Sequence, residues 1–371
     1  MLVPIVPIIH RAAAPAIAAV CMTVDKNDQQ NDALLPDWDY IAPRAILLAV
    51  AIGYGTNFPV GRLMNDALPA AASTSDRFAL AALALSPYIP RLRRSLIVPC
   101  LLSGILDAVG YCAQSLALVD TPAARVSFLG AFTVVWIPVL SAVFGGRRLG
   151  FGSAPQLWIA AALCLAGIGC LELGGLTAGG VSGMAILPGD LWAVVQAIGF
   201  GSSFYLIERM MAAKPQDGDD EDAEAQTLPI TAVNLACVAA FSAAWALLDG
   251  YSVGPFAEAS SSGWLLVESS RLASALPGAL FMPIGPCILW TGLVTTAAVR
   301  VGETTGLGRV AASDAALIVA TEPLWASIFG VLLLSEGLEA NDLIGGALVV
   351  AAPLVSTAEP AAMRRFLGMS E

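Results

Sequence analysis

Charged side chains inside long apolar stretches are the groups of this sequence best placed to do chemistry. Glu322 directly precedes Pro323 in such a stretch, and Glu303 lies at the end of the stretch before it. A charge at bilayer depth costs about 3 kcal/mol or more, so such residues commonly bind substrates or ions or carry protons. Proline removes a backbone donor and can leave a carbonyl free beside Glu322. We therefore expect Glu322, in a helix interior, to be a substrate ligand or proton carrier; a structural carboxylate paired within the bundle is the alternative.

Further polar or aromatic side chains in the apolar stretches extend the set of candidate binding residues. Arg77 would hold an anionic group or would snorkel to the membrane interface. An amide or hydroxyl group can equally join one helix to another, and an aromatic ring can equally be packing. Asp107 is a weaker candidate, as a buried acid with no evident partner. The candidate set for substrate binding is Glu322, Glu303, Gln114, Thr133, Arg77, Asn57, Tyr111, Ser203 and Trp325.

Several kinds of site lack the residues that they need. His10 is the single histidine, and Lys26 and Lys214 are the only lysines. This leaves neither a histidine-based catalytic or zinc site nor the lysine of a phosphate-binding loop. The seven cysteines form no Cys-x-x-Cys pair and are better interpreted as small buried hydrophobic residues. Without a basic stripe there is no indication of nucleic-acid binding, and we expect no catalytic residues, no metal and no cofactor.

The composition indicates a protein embedded in a lipid membrane. Hydrophobic residues make up 57% of the 371 residues, charged residues make up 13%, and the mean hydropathy is +0.76. Soluble domains carry roughly 25% charged residues. Much of the acidity behind the net charge of −11 lies in residues 25–39 and 217–224. These acidic residues therefore lie in predicted loops and do not indicate a binding face.

Ten apolar segments follow residue 41, and their continuous apolarity favours helices over the strands of a membrane barrel. Several interiors are rich in glycine and alanine, which permit close approach of helices in lipid. The sequence thus predicts an all-α polytopic membrane protein with ten transmembrane helices. The segments cover 43–63, 72–90, 95–118, 122–145, 154–173, 186–211, 229–249, 278–302, 312–334 and 340–357.

A repeated motif divides the predicted helices into two halves. Gly53-Tyr54-Gly55-Thr56-Asn57-Phe58 is echoed by Gly199-Phe200-Gly201-Ser202-Ser203-Phe204. Five spans per half make the second half inverted, as in many transporters built from two repeats. Alignment of the fourth segments of the two halves places Thr133 opposite Glu322 and Gln114 opposite Glu303, so we expect these pairs to face each other. The expected divisions are an N-terminal segment (1–40), two five-helix repeats (41–174 and 186–357) and a tail (358–371).

The distribution of basic residues orients the predicted helices. With the N-terminus inside, most of the 18 lysines and arginines fall on the inner side, Arg300 among them. This asymmetry agrees with the positive-inside rule. Arg147-Arg148 in the first half is matched by Glu336 in the second, so a basic inner loop corresponds to an acidic outer one.

With the repeated motif at 53–58, the Glu322-Pro323 pair, the following Glu336 and the Gly-Ala-rich run 343–349, the two halves resemble the EamA-like branch of the drug/metabolite transporter superfamily. The resemblance extends over residues 41–357 and is closest to plant and algal members, some of them plastid-targeted. One departure is Gly145-Gly146-Arg147-Arg148, where many members carry Gly-Glu-Arg. The residues that carry the resemblance are Thr321-Glu322-Pro323-Leu324-Trp325, Ser335-Glu336-Gly337 and the Gly-Ala-rich run 343–349 in the second half, with 53–58, Arg77-Phe78, Gly110-Tyr111, Gln114, Ala131-Phe132-Thr133 and Pro138 in the first.

The resemblance and the repeat together imply a secondary transporter of small organic metabolites. It would work by alternating access, coupled to protons or to exchange, with its site near the midplane between the repeats. Two alternatives stay open: an exchanger of sugar phosphates or nucleotide sugars, and a membrane enzyme or scaffold that transports nothing. The expected partners are a metabolite and the lipid bilayer, and a homodimer is left open.

Residues 1–40 begin with an apolar stretch and continue with an acidic one. This segment is a candidate targeting sequence, and the expected location is the plastid envelope or otherwise the plasma membrane or an endomembrane. A loosely ordered or membrane-associated N-terminus is the alternative.

Overall fold

A computed structural model describes residues 38–57, 60, 70–121, 126, 129–144, 150–177, 188–212, 223–248, 284–334 and 340–368. Residues from Pro43 onward form one compact unit. The helices are α1 (Trp38–Gly55), α2 (Ala70–Leu85), α3 (Ile97–Asp120), α4 (Thr133–Val143), α5 (Pro155–Thr177), α6 (Pro188–Met211), α7 (Thr227–Leu248), α8 (Ile284–Leu289, Trp290–Ala298 and Val299–Leu307 in direct succession), α9 (Ala312–Val319), α10 (Glu322–Leu334), α11 (Ala340–Ser356) and α12 (Pro360–Phe366).

Every regular element in the described part of the chain is helical, which confirms the predicted all-α class. Among the residues that the structure describes, three helices are long and apolar enough to cross a membrane by themselves: Arg94–Ala117, Pro188–Met211 and Thr227–Leu248. A fourth candidate is the pair Leu343–Ser356 and Pro360–Phe366, which is bent by 118°. The count of ten transmembrane helices therefore stays a prediction, because several apolar segments form shorter or interrupted helices.

Two segments that were predicted to be continuous helices are broken. In 122–145 a turn at Ala131 and Phe132 separates helical residues from α4. In 312–334 a turn at Ala320 and Thr321 separates α9 from α10. Each break is a tight turn, closed by Phe132 N–H to Leu129 O in the first case and by Thr321 N–H to Ile318 O in the second, both at 3.1 Å. The prediction of continuity was wrong here because apolar composition does not record such local turns.

The middle of α8 is a π-helix, Trp290–Ala298, between two α-helical segments. In a π-helix the backbone hydrogen bonds join residues five apart, rather than four apart as in an α-helix. This geometry is rare, and where it occurs it is often at a functional site. Gly292 lies in this segment and lets α2 approach closely, since a Cβ there would lie 2.8 Å from Leu80 Cδ2 and 3.2 Å from the carbonyl oxygen of Arg77. The π-helix is therefore packed directly on the backbone of α2.

The repeated glycine motif marks two places where the halves of the chain approach closely. A Cβ on Gly53 would lie 2.6 Å from Val299 Cγ2 of α8, and one on Gly199 would lie 3.0 Å from the backbone nitrogen of Gly110 of α3. The alignment that pairs Thr133 with Glu322 also pairs Gly110 with Val299, so these two contacts join matching positions. The first helix of each half therefore packs on the third helix of the other.

The second glycine of each motif makes a matching pair of contacts with the fourth helix of the other half. A Cβ on Gly55 would lie 2.6 Å from Trp325 Cβ of α10, and one on Gly201 would lie 2.8 Å from Trp136 Cδ1 of α4. The same alignment pairs Trp136 with Trp325. A Cβ at either position would collide with the neighbouring helix as it stands. Small residues are favoured at such contacts, because helices in lipid gain stability from close van der Waals packing.

The apolar core extends on both sides of these contacts. Side chains with almost no exposed surface come from several helices, among them Ile137 of α4, Ile168 of α5, Ile207 of α6 and Leu317 of α9. A second cluster joins Phe78 of α2 to α3, α7 and α8. Polar side chains inside this core are therefore held in a medium without water.

Candidate functional site

Four buried side chains from α1, α3 and α8 form one hydrogen-bonded group, which we call the charge cluster: Tyr54, Asp107, Arg300 and Glu303. The guanidinium of Arg300 donates to Asp107 Oδ2 through Nη2 and to Glu303 Oε1 through Nη1. The Tyr54 hydroxyl donates to the other oxygen, Glu303 Oε2, at 2.8 Å. Asp107 is 0% exposed, Glu303 1% and Arg300 3%.

The sequence places these groups by simple helix geometry. Arg300 and Glu303 are three residues apart on α8 and so lie on the same helix face. Tyr54 sits between the two glycines that bring α1 against α8 and α10. One guanidinium serves both carboxylates, and its planar fork suits such pairing better than an ammonium group would.

Two polar atoms at the edge of the charge cluster are left over. Ser203 of α6 lies beside Asp107, and both residues are 0% exposed. In the described part of the chain, however, neither Ser203 Oγ nor Asp107 Oδ1 has a hydrogen-bond partner of ordinary geometry. An unmade hydrogen bond of a buried polar group is costly. These two adjacent oxygens are candidates for contact with a polar group of a ligand.

Three aromatic rings from α2, α3 and α6 stack beside the charge cluster. The rings of Phe78 and Tyr111 have centroids 4.6 Å apart, and those of Tyr111 and Phe200 are 4.7 Å apart, edge to face. Arg77 lies over this stack, with its guanidinium carbon 4.8 Å from the Phe78 centroid and 5.8 Å from that of Tyr111. Cation–π contacts of this kind stabilise a partly buried guanidinium.

Glu322 is the first residue of α10. The sequence predicted a position in a helix interior, and that prediction was wrong. Its charge interacts with that of Arg77. A carboxylate in the first turn of a helix is favoured by the helix dipole, and Pro323 is well tolerated there because its missing N–H would have no partner anyway. The nearby Trp325 indole N–H donates to Thr321 Oγ1 at 3.2 Å, across the break.

Thr133 and Asn57, two of the other predicted site residues, make hydrogen bonds outside the charge cluster. The Thr133 hydroxyl donates to the backbone oxygens of Gly130 at 2.8 Å and Ala197 at 3.3 Å. Asn57 Oδ1 accepts from Thr295 Oγ1 in the π-helix. Gln114 of α3 is half-buried. The expectation that Gln114 faces Glu303 and that Thr133 faces Glu322 stays a prediction.

Sequence reasoning undervalued Asp107 and misplaced Arg300. Arg300 was counted among the basic residues of the inner side, but it is buried between two carboxylates of the bundle. The prediction was wrong because a residue near the end of an apolar segment looks the same in sequence whether it snorkels or turns inward. The repeat held a signal: the alignment of the two halves pairs Arg300 with Tyr111, which was already a candidate.

Replacing Tyr54 by phenylalanine tests whether the charge cluster is as tightly joined as its geometry indicates. A hydrogen bond to a charged group contributes about 1.5–3 kcal/mol, so we expect Tyr54→Phe to lower the free energy of unfolding by that amount. The measurement is chemical denaturation of the purified protein in detergent. Tyr205→Phe on α6 is the matched control, since Tyr205 is buried without a described hydrogen bond from its hydroxyl. Equal stability of Tyr54→Phe and wild type would contradict the hydrogen-bonded cluster.

Comparison with known proteins agrees with this architecture. The chain is similar in fold to a protein of known crystal structure, with 17% sequence identity, a TM-score of 0.62, and coverage of 87% of this chain and 98% of that one. No curated protein matches the sequence. The model of the EamA-like transporter family matches the chain twice, over residues 44–172 and 187–358. These two matches cover most of the sequence, and the chain therefore belongs to the EamA-like transporter family.

Proposed function

We propose that this membrane transporter of small substrates is a secondary transporter that moves organic metabolites by alternating access, with the charge cluster at its substrate site. The observation that carries the proposal is the composition of the cluster. Tyr54 and Asp107 belong to the first stretch matched by the family model, whereas Arg300 and Glu303 belong to the second. Secondary transporters bind their substrates at the interface of two repeats, near broken helices.

The reciprocal glycine contacts support a mechanism of this kind. Gly53 and Gly199 approach the third helix of the opposite half, and Gly55 and Gly201 approach the fourth. Each half therefore makes the same pair of glycine contacts with the other, which suits a chain with two related arrangements of its halves. Ten membrane spans in two inverted repeats, within 41–174 and 186–357, are the topology that we propose on this basis.

The charge cluster suits a site that must be closed when empty. In the present arrangement Arg300 satisfies both carboxylates, and apolar side chains exclude water around them. A substrate with polar groups can replace these internal partners and can also contact the adjacent oxygens of Asp107 and Ser203. Because a bound substrate keeps the charges partnered while the halves move, the transition is easier with substrate than without.

The charges of the site favour a metabolite without a phosphate group. Arg77 and Arg300 are opposed by three carboxylates, those of Asp107, Glu303 and Glu322. A phosphate dianion would have to enter a site whose cations are already engaged, and like charges at short distance repel strongly in a medium of low dielectric constant. Exchange of sugar phosphates or nucleotide sugars is therefore the weaker candidate. Arg125, the remaining arginine that such a substrate could use, lies outside the described residues.

The location of the protein within the cell is a separate proposal. Family membership and apolar helices make it an integral membrane protein. The plastid envelope is proposed from the resemblance to plant and algal members and from the apolar and acidic character of residues 1–40. A fluorescent fusion should lose this location when residues 1–40 are removed. The same location with and without them would contradict a targeting role.

Transport is tested with purified protein in liposomes. The liposomes are loaded with an extract of cell metabolites, placed in an isotope-labelled copy of that extract, and analysed by mass spectrometry for labelled compounds inside. We expect one or a few metabolites to exchange, and expect liposomes without protein to exchange none of them. Absence of exchange for every metabolite would overturn the proposal, and a new covalent product would point to a membrane enzyme instead.

A further inference from the structure

Asp76, on α2, is a buried acid that the proposed site does not use. Asp76 is only 1% exposed, and among the described residues its Oδ2 atom has no hydrogen-bond partner. In the described part of the chain no ion pair or hydrogen bond reaches this carboxyl group. Asp107 and Glu303, by contrast, are both held by Arg300. Among the described residues, Asp76 therefore differs from the acids of the charge cluster in having no cation paired with its carboxyl group.

The helices that pack on α2 supply no charge to Asp76. α2 packs mainly along α7 and the π-helix of α8, and neither Thr227–Leu248 nor Trp290–Ala298 contains a charged residue. Cys237 and Cys287 are the titratable side chains of α7 and of Ile284–Leu289. Among the described residues, Arg77 is the cation on α2 itself, and it is engaged over Phe78 and Tyr111. Arg91 lies beyond the end of α2, over Tyr88.

A carboxyl group in this position must be neutral while it is enclosed. Moving an unpaired carboxylate out of water into an apolar medium costs far more than a protein can usually compensate, so the group takes up a proton instead. The charge can form only when water reaches the residue. Asp76 is thus a group whose proton content should change with the conformation of the helices around it.

α8 connects Asp76 to the charge cluster. Leu80 lies one turn after Asp76, on the same face of α2, and touches the position of Gly292 in the π-helix. The π-helix continues into Val299–Leu307, which carries Arg300 and Glu303. Thr295 of the π-helix also donates to Asn57 at the end of α1. A shift of this segment that opens Asp76 to water would therefore act on the charge cluster through a continuous helix.

We propose that Asp76 is the carboxyl group that carries the coupling proton of this transporter, a role that rests on the proposed transport function. In one conformation a hydronium ion on the first side of the membrane transfers a proton to the carboxylate, so that one O–H bond of the hydronium breaks as the carboxyl O–H bond forms. In the other conformation that bond breaks and the proton passes to water on the second side. Glu322, the proton carrier favoured by the sequence, is less suited because its charge already interacts with Arg77.

Proton binding at Asp76 is tested first without any substrate, by infrared spectroscopy of the reconstituted protein during a pH titration. The carbonyl band of a protonated carboxylic acid in an apolar environment should be present in wild type and absent in Asp76→Asn. Asp190→Asn, an acid of α6 outside the charge cluster, should keep the band. A band that persists in Asp76→Asn overturns the proposal.

The coupling role is tested with the labelled extract in liposomes. Asp76→Asn should exchange metabolites at equal pH on both sides as wild type does, and should lose the accumulation that an imposed pH gradient drives. Gradient-driven accumulation by Asp76→Asn equal to wild type, or its absence in wild type that exchanges normally, overturns the coupling role. No exchange by wild type at all would instead count against the transport function, and the infrared band would still decide whether Asp76 holds a proton.

Discussion

Replacement of Arg300 by glutamine should destabilise the protein by about 3–5 kcal/mol, the usual cost of removing one partner from a buried ion pair, and should abolish transport. Two carboxylates depend on this one guanidinium, and both are buried away from water. Glutamine cannot compensate either charge. The loss of stability is measured by chemical denaturation in detergent, and the loss of transport by exchange of the labelled extract.

Two further variants separate the cluster from a general effect of losing an arginine. Arg309→Gln removes an exposed arginine just beyond α8 and should change stability little, since surface charges contribute about 0–1 kcal/mol. The triple variant Asp107→Asn, Arg300→Gln, Glu303→Gln removes the uncompensated charges as well. It should regain much of the lost stability without regaining transport. An Arg300→Gln protein as stable as wild type would contradict the ion-paired cluster.

Replacement of Gly55 by alanine should destabilise the protein by about 1–3 kcal/mol, as overpacking of a close contact does. The added Cβ would lie 2.6 Å from Trp325 Cβ and 3.0 Å from the backbone nitrogen of Ala326, and backbone atoms cannot move aside. Alanine is favoured over glycine inside a helix by about 1 kcal/mol, so a net loss requires that the steric conflict exceed this gain. We expect exchange of the labelled extract to fall as well, because α1 and α10 belong to different halves.

Gly302→Ala is the matched control for this prediction. It also places alanine in a helix, but the new Cβ would meet only methyl groups, those of Val50 at 3.0 Å and Ile46 at 3.5 Å. These side chains can adjust, so its stability should stay within about 1 kcal/mol of wild type. Denaturation of both variants under the same conditions gives the comparison. A Gly55→Ala protein more stable than wild type would show that the two halves do not touch there.

The repeated motif was the part of the site that sequence could predict best. The glycines at 53, 55, 199 and 201 are equally spaced in two apolar segments, and small residues in such segments indicate close helix contacts. The alignment that pairs Thr133 with Glu322 also relates the contact of Val299 with Gly53 to that of Gly110 with Gly199. Local spacing and repetition are properties of the sequence alone, so both could be read from it.

Partner choice in the charge cluster could not be predicted in the same way. Arg300 and Asp107 are 193 residues apart in the chain, and their pairing depends on the rotation of α3 and α8 about their own axes. Apolar composition fixes that a segment is a helix, but in a segment that is apolar all round it does not fix which side faces the bundle. The turns before Thr133 and Glu322 were missed for a related reason, since no change of composition marks them.

The central claim is that the charge cluster binds the substrate of an alternating-access transporter, and exchange of the labelled extract by Arg300→Lys tests it most directly. Lysine keeps the positive charge but loses the planar fork that joins Asp107 to Glu303, so the fold can be checked by denaturation before transport is measured. We expect a folded Arg300→Lys protein to exchange at least tenfold more slowly than wild type, which corresponds to about 1.4 kcal/mol. Exchange at the wild-type rate and with the wild-type concentration dependence would contradict the claim.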